Sequence, residues 1–214
     1  MSISLREVSR PDILAAILII VTSVAIDLVT KSVAQEHLMT WTHDTDPNHY
    51  EGKRVVLSHM GADSSVGPDG RSFITFSLNY VRNLGAAWGM LSNLPDEVRT
   101  PFFAVVTLLA IGFVGFSFFS TTSSQHITRY GFALILSGAL GNFINRIQFG
   151  FVIDWIDVRW NVLGWRYAFP NFNWADCAIT IGIAVILIES LRERLAGDES
   201  SESAEKIGSK NVVS

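Results

Sequence analysis

The chain has 214 residues, 49% of them hydrophobic and only 17% charged, with a mean hydropathy of +0.32. A soluble domain of this length carries charge on about a quarter of its residues, so the balance points to a membrane protein. The formal net charge of -4, without a basic stripe, excludes a phosphate-neutralising nucleic-acid binder, and the single cysteine, Cys177, excludes an internal disulfide or a thiolate metal cluster.

The first apolar stretch, Ile13–Ile26, is free of charge and continues through Asp27 and Lys31. Arg6 and Arg10 before it would suit a signal peptide, but three further apolar stretches and the lack of a small-x-small cleavage site favour a retained anchor. Residues 35–97 form a long connection. Within it "GADSSVGPDG" (61–70) reads as turns, "RSFITFSLNYV" (71–81) as a strand, "NLGAAWG" (83–89) as a glycine-rich turn, and "SNLPDEV" (92–98) as a short interfacial helix. Pro101–Phe119 is the second apolar stretch, and 120–129 a brief polar turn. Tyr130–Ile144 is the third, and the connection 147–172 carries Trp160 and Trp165, placed like an interfacial aromatic belt. The fourth, Cys177–Ile188, lies in a longer stretch from about Phe172. With polar residues admitted at their ends, all four reach the ~20 residues a spanning helix needs. The chain divides into a four-span domain, 1–196, and a polar tail, 197–214, expected to be disordered.

Alternation of four spans brings three polar groups to one membrane face: Asp27 and Lys31 ending the first span, Asn142 and Arg146 ending the third, Asn173 and Asp176 opening the fourth. Ionisable groups in spans are costly and usually face a bundle interior or a site. Asp154, in the strand-like "VID", returns to that face from the last connection. Two carboxylates in one dry cleft cannot both ionise easily, so one keeps a proton near neutrality and the pair can run general acid–base hydrolysis.

Each group also has a plainer account. Asp154 and Asp157 read equally as solvated loop residues, and Asp176 as a cap of the fourth span. Asp27 and Lys31, four apart, read as an interfacial salt bridge with Lys31 snorkelling. Arg146 reads as a headgroup contact, Asn142 and Asn173 as helix glue or caps, and Cys177 as a packing residue. Ser137–Gly141 has the small-xxx-small spacing of close helix packing. No nucleophile elbow, HExxH or phosphate loop is present, and His37, His43, His49, His59 and His126 show no metal-ligand spacing, so no metal or cofactor is expected. The residues alone leave hydrolysis and a proton or ion pathway both open.

The set "DLVTK" (27–31), "NLGAAWG" (83–89), "GNFINR" (141–146), "FVIDWID" (151–157) and "FNWAD" (172–176), in this order around four spans, resembles the lipoprotein signal peptidases, the bacterial signal peptidase II family of membrane aspartyl proteases. The resemblance runs from about Ile13 to Glu189. It implies a four-helix membrane bundle with a small extracytoplasmic sheet from the 71–88 region, in the bacterial cytoplasmic (inner) membrane, with both termini cytoplasmic and the site toward the outer face. It implies Asp154 and Asp176 as the catalytic aspartates, Asn142, Arg146 and Asn173 lining the site, Asn83 and Gly85 in a loop holding substrate backbone, and Asp27 and Lys31 as a supporting pair. The implied substrate is a prolipoprotein, cut just before its diacylglyceryl-modified cysteine among membrane lipids; the implied inhibitor is globomycin. Asn145 departs from the family's G-N-x-x-D-R, removing an ionisable neighbour of Arg146 but neither catalytic position, so activity is still expected. An inactive prolipoprotein-binding homologue is the reading that this departure raises. The first external loop and the link between Asp154 and Asp176 are enlarged.

Overall fold

The computed structural model describes residues 8–41, 50–60, 74–85, 90–91, 93–122, 125–162 and 165–211. Among these are four helices long and apolar enough to cross a membrane: α1 (Arg10–Leu38), α2 (Asp96–Ser120), α3 (His126–Phe149) and the first part, Trp174–Ala196, of α4 (Trp174–Asn211). Ser9 caps α1 by accepting the backbone N–H of Asp12, and Pro11 lies in the first turn, where its missing N–H costs nothing. At about 1.5 Å per residue, 29 residues exceed the ~30 Å hydrocarbon core. The last turns of α1 therefore reach past the apolar layer, and there Ala34 and Leu38 pack with Tyr80 and Ile153 of the sheet.

Helix α3 is the centre of the bundle, packing on α4, α1 and α2. Small residues allow this closeness. A Cβ at Gly138 would lie 2.2 Å from the Ala175 carbonyl oxygen, and one at Gly182 would lie 2.6 Å from that of Gly131. The Ser137 hydroxyl donates to Ser23 (2.9 Å), and the Trp174 indole N–H donates to the same oxygen (3.0 Å), tying α3, α1 and α4 together. The outward rows, including Leu18, Leu109, Phe113 and Leu187, are exposed, as acyl-chain contacts require.

Beyond the spans, β1 (Met39–Trp41) pairs with β2 (Tyr50–Gly52), and β3 (Val55–Met60), β4 (Ile74–Asn83), β5 (Val152–Val162) and β6 (Trp165–Ala168) form an antiparallel sheet in that order. Helix α3 ends at Gly150 in the left-handed region (φ 78°), its N–H donating to the Arg146 carbonyl, and β5 begins two residues later. A bulge in β4 between Leu78 and Val81 sets Val81 opposite Asp154 and Asn83 opposite Val152.

The sheet is larger than the 71–88 reading. Residues 71–73 and 86–88 lie outside the described residues, while the connection 147–172 folds mostly as β5 and β6. The residues 96–98 are the first turn of α2 itself rather than a separate interfacial helix. The turns read at 61–70 lie outside the described residues. The polar sequence after Ala196 continues α4 to Asn211 where composition suggested a disordered tail; it lacks proline and is rich in the helix formers Glu, Ala and Lys.

Asp157 is not a solvated loop residue. It is 0% exposed on β5, accepting from Arg54 (2.9 Å), Arg159 (3.1 Å) and Ser77 (3.3 Å). At the other end of the bundle, Asp12 of α1 accepts from Arg129 of α3 (2.7 Å), itself fully buried, and lies 2.7 Å from the His126 ring. Composition gave no hint of this second buried ionic cluster, because its partners are far apart in the chain.

Candidate active site

Each polar group of the site is delivered by the end of an element. Asp27 and Lys31 lie one turn apart near the C-terminal end of α1 and are almost completely buried. Asn142 and Arg146 hold the same relation on α3, Asn83 ends β4, Asp154 is third in β5, and Asn173 and Asp176 open α4. The Asp176 carboxylate accepts the Asn173 backbone N–H (3.0 Å) while the Asn173 carbonyl oxygen accepts the Asp176 backbone N–H (3.1 Å), a reciprocal cap. Asp27 accepts the next free N–H of α4, from Ala175 (2.9 Å). The capping account of Asp176 and its place in the site therefore hold together.

The side chains form one connected network. Lys31 donates to Asp27 (2.7 Å) and to the Asn142 carbonyl oxygen (2.8 Å). With its oxygen held by Lys31, Asn142 presents its NH₂ to Asp176 (2.9 Å). The Asn173 NH₂ donates to Asp154 (2.7 Å) and to Asn142 (3.2 Å). Asn83 donates to the second oxygen of Asp154 (3.0 Å) and accepts the Gly85 N–H (3.0 Å), closing an Asx turn at the start of the glycine-rich loop. Arg146 donates to the Gly85 carbonyl (3.0 Å), with its guanidinium 4.8 Å from the Phe103 ring centre. Every amide has its orientation set by a partner that can only donate or only accept.

Asp154 and Asp176 line a cavity of about 880 Å³, walled also by Phe169, Phe172, Thr180 and Ile181. Burial, and after it the negative charge of Asp176, push the Asp154 carboxyl up to about 7, against the pull of the Asn83 and Asn173 amides. Near neutrality this site can therefore hold one proton across two carboxylates, with apolar walls around them. That arrangement suits activation of water beside a polarised carbonyl.

Every expected site residue is present at this one place: Asp27, Lys31, Asn83, Gly85, Asn142, Arg146, Asp154, Asn173 and Asp176. Lys31 does not snorkel; it is directed inward to Asn142. Residues 86–89 of the glycine-rich loop lie outside the described residues. Reading the chain missed Phe103 beneath Arg146 and the wall made by Phe169 and Phe172. The text "FPNF" just before the matched "FNWAD" was the signal for that wall; Phe103, on a different span, left none. Asn145 is buried, and its oxygen accepts the Ile153 N–H (3.2 Å), holding β5 one residue before Asp154. An amide and a carboxylate serve this acceptor role equally.

Residues 19–192 match the sequence profile of the family described as signal peptidase (SPase) II. A lipoprotein signal peptidase of Geobacter sulfurreducens is 42% identical over 118 residues, 55% of this chain and 70% of that protein. One from an Anaeromyxobacter species is 35% identical over 177 residues, 80% of this chain and 82% of that protein. A solved bacterial membrane enzyme, determined by the in meso method, superposes with a TM-score of 0.59 at 31% identity, covering 84% of this chain and 89% of its own. Profile, relatives and solved fold agree with the four-span network of asparagines and carboxylates: the chain belongs to the signal peptidase II family.

Proposed function

We propose that this chain is an aspartic endopeptidase that removes signal peptides from prolipoproteins, with Asp154 and Asp176 as its catalytic pair. The observation that carries the chemical part is the single asparagine joining the two carboxylates: Asn173 donates through its side chain to Asp154 and through its backbone N–H to Asp176, at one cavity. In this reading Asp154 holds the shared proton at rest and donates it to the scissile carbonyl oxygen, while the Asp176 carboxylate takes a proton from the attacking water. Collapse of the tetrahedral diol breaks the C–N bond, and the proton gathered by Asp176 passes to the leaving amine. Arg146, through Gly85, and Asn83 hold the loop that orients the peptide backbone.

The cut is proposed to fall just before the diacylglyceryl-modified cysteine, whose acyl chains stay among the spans while the scissile bond reaches the carboxylates. Membrane lipids and a globomycin-type peptide are the further ligands expected. The proposed topology puts both termini in the cytoplasm and the site toward the outer face of the inner membrane. A proton or ion pathway is not favoured, because the relatives are peptidases and the cavity has the volume of a ligand site rather than a narrow relay.

The test is a gel-shift assay with purified protein in detergent and a prolipoprotein carrying its diacylglyceryl group, with an unmodified precursor as control. Cleavage should require the lipid and fall by about 10²–10⁴-fold or more in Asp154→Asn and in Asp176→Asn. A folded, monodisperse wild-type protein that cuts neither precursor would overturn the reading.

A further inference from the structure

The four-stranded sheet is polarised the wrong way for a protein in water. By strand alternation and register, one face carries Ile74, Phe76 and Leu78 of β4, Ile156, Val158 and Trp160 of β5, and Trp165 and Tyr167 of β6. The other carries Ser77, Asp157 and Arg159. Yet the ionic face is the buried one at Ser77 and Asp157, while Phe76, Trp160, Tyr167 and Phe169 are exposed and Trp165 is 82% exposed. A sheet on a soluble core shows the reverse.

The exposed aromatics are continuous. Trp160 stacks on Tyr167 (5.0 Å) and meets Phe169 (6.1 Å), which meets Phe172 edge-on (5.7 Å). Phe169 and Phe172 also wall the cavity that holds Asp154 and Asp176. Only residues 169–173 separate the end of β6 from the first residue of the fourth span, Trp174. That length of chain keeps the hairpin within about 20 Å of the point where α4 meets the apolar layer. Arg166, exposed between Trp165 and Tyr167, supplies a cation at the same level.

We propose that this aromatic face of the β5–β6 hairpin docks on the lipid bilayer, seating its rings at the boundary between headgroups and acyl chains. Three observations select a lipid surface as the occupant. The face runs without interruption toward the lipid-facing surface of the spans. Its residues are the amphipathic Trp and Tyr of membrane interfaces, with an arginine placed to meet phosphate. Its inward neighbours are the aromatic walls of the cavity, so docking sets the cavity mouth at headgroup depth. The proposal needs only the four spans and stands apart from the peptidase chemistry.

The test uses the full chain reconstituted in phosphatidylcholine vesicles whose acyl chains carry bromine either near the headgroup or near the bilayer centre. Trp165→Ala, or Trp165→Phe should the alanine variant fail to fold, isolates Trp165 as the emission lost from the wild type. That difference emission should be lost in the shallow-brominated vesicles, largely kept in the deep-brominated ones, and insensitive to aqueous iodide. Quenching by iodide with no response to brominated lipid would overturn the proposal by placing the hairpin in water. Shielding from both quenchers would also overturn it, assigning the face to a second copy or another protein surface.

Discussion

Lys31 of α1 donates across the bundle to the side-chain oxygen of Asn142 on α3, 2.8 Å away, and so determines that the amide NH₂ of Asn142 faces Asp176. The lysine acts on the site through another side chain, which makes it a positioning residue. It also neutralises Asp27, with which it is buried at 2.7 Å.

These two roles are separable. Lys31→Met should lower kcat by about 10–100-fold, the worth of one hydrogen bond to a charged group. It should also destabilise the protein by roughly 3–5 kcal/mol, because Asp27 is left buried and unpaired. In the double variant Asp27→Asn/Lys31→Met the thermal midpoint should recover while kcat does not. A double variant that regains full activity would show that Lys31 serves stability alone.

Asp154 gives a prediction in pH. Its carboxyl, raised to about 7 from an ordinary 3.8, binds its proton more tightly in the folded than in the unfolded chain. Stability therefore falls as pH rises from about 4 to about 7 and levels off above, since the folded state must give up a proton the unfolded state has already lost. Thermal midpoints of Asp154→Asn should show a shallower fall over that window. In the wild type, kcat/KM should decline on the alkaline side with an apparent pKa near 7, as the acid form of the pair is lost. A profile flat from pH 5 to pH 9 would refute the assignment.

The glycines of α2 and α3 should respond in opposite ways. At Gly138 a methyl group would meet the Ala175 backbone at 2.2 Å, so Gly138→Ala should cost about 1–3 kcal/mol by prising α3 from α4. At Gly112 and Gly115 nothing lies within 4 Å, and alanine there should be neutral or stabilise by about 0.5–1 kcal/mol. Thermal unfolding in one detergent measures all three. Gly141→Ala has a different signature: its methyl would lie 2.4 Å from the Asp27 carboxylate, so activity should suffer beyond the loss of stability.

The departure at Asn145 can be tested by restoring the family residue. Because its oxygen serves the Ile153 N–H, Asn145→Asp should retain cleavage, whereas Asn145→Leu should leave that buried N–H unpaired at a cost of about 1–3 kcal/mol. The leucine variant should also lose kcat, since β5 is then free to shift at Asp154. Full activity in Asn145→Leu would remove Asn145 from the positioning machinery.

The spans and their convergence were legible because hydropathy and alternation are sequence-local, and the three polar pairs stood at span ends. The sheet was only half legible. β4 declared itself by alternation, but β5 is an unusual strand: it hides Asp157 on one side and exposes Trp160 on the other, so its pattern does not read as apolar-in, polar-out. The Asp157–Arg54 and Asp12–Arg129 pairs link residues 103 and 117 positions apart, and no local pattern announces such partners. The motif order named the site residues; it could not say that Asn142 and Asn173 would have their amides oriented by neighbours that only donate or only accept.

The distance in sequence between α1 and its partners also bears on how the chain is made. Asp12 and Lys31 enter with the first span, but Arg129 and Asn142, which complete their bonds, follow 117 and 111 residues later. At roughly 5–20 residues per second of synthesis, the first helix waits on the order of 5–25 seconds with a carboxylate at one end and an ion pair at the other still without their partners on α3. Its early residence in the bilayer is provisional, and α3 is the piece that makes it permanent. A defect in α3 would then show itself first as loss of the α1 anchor during biogenesis, before any peptide is cut.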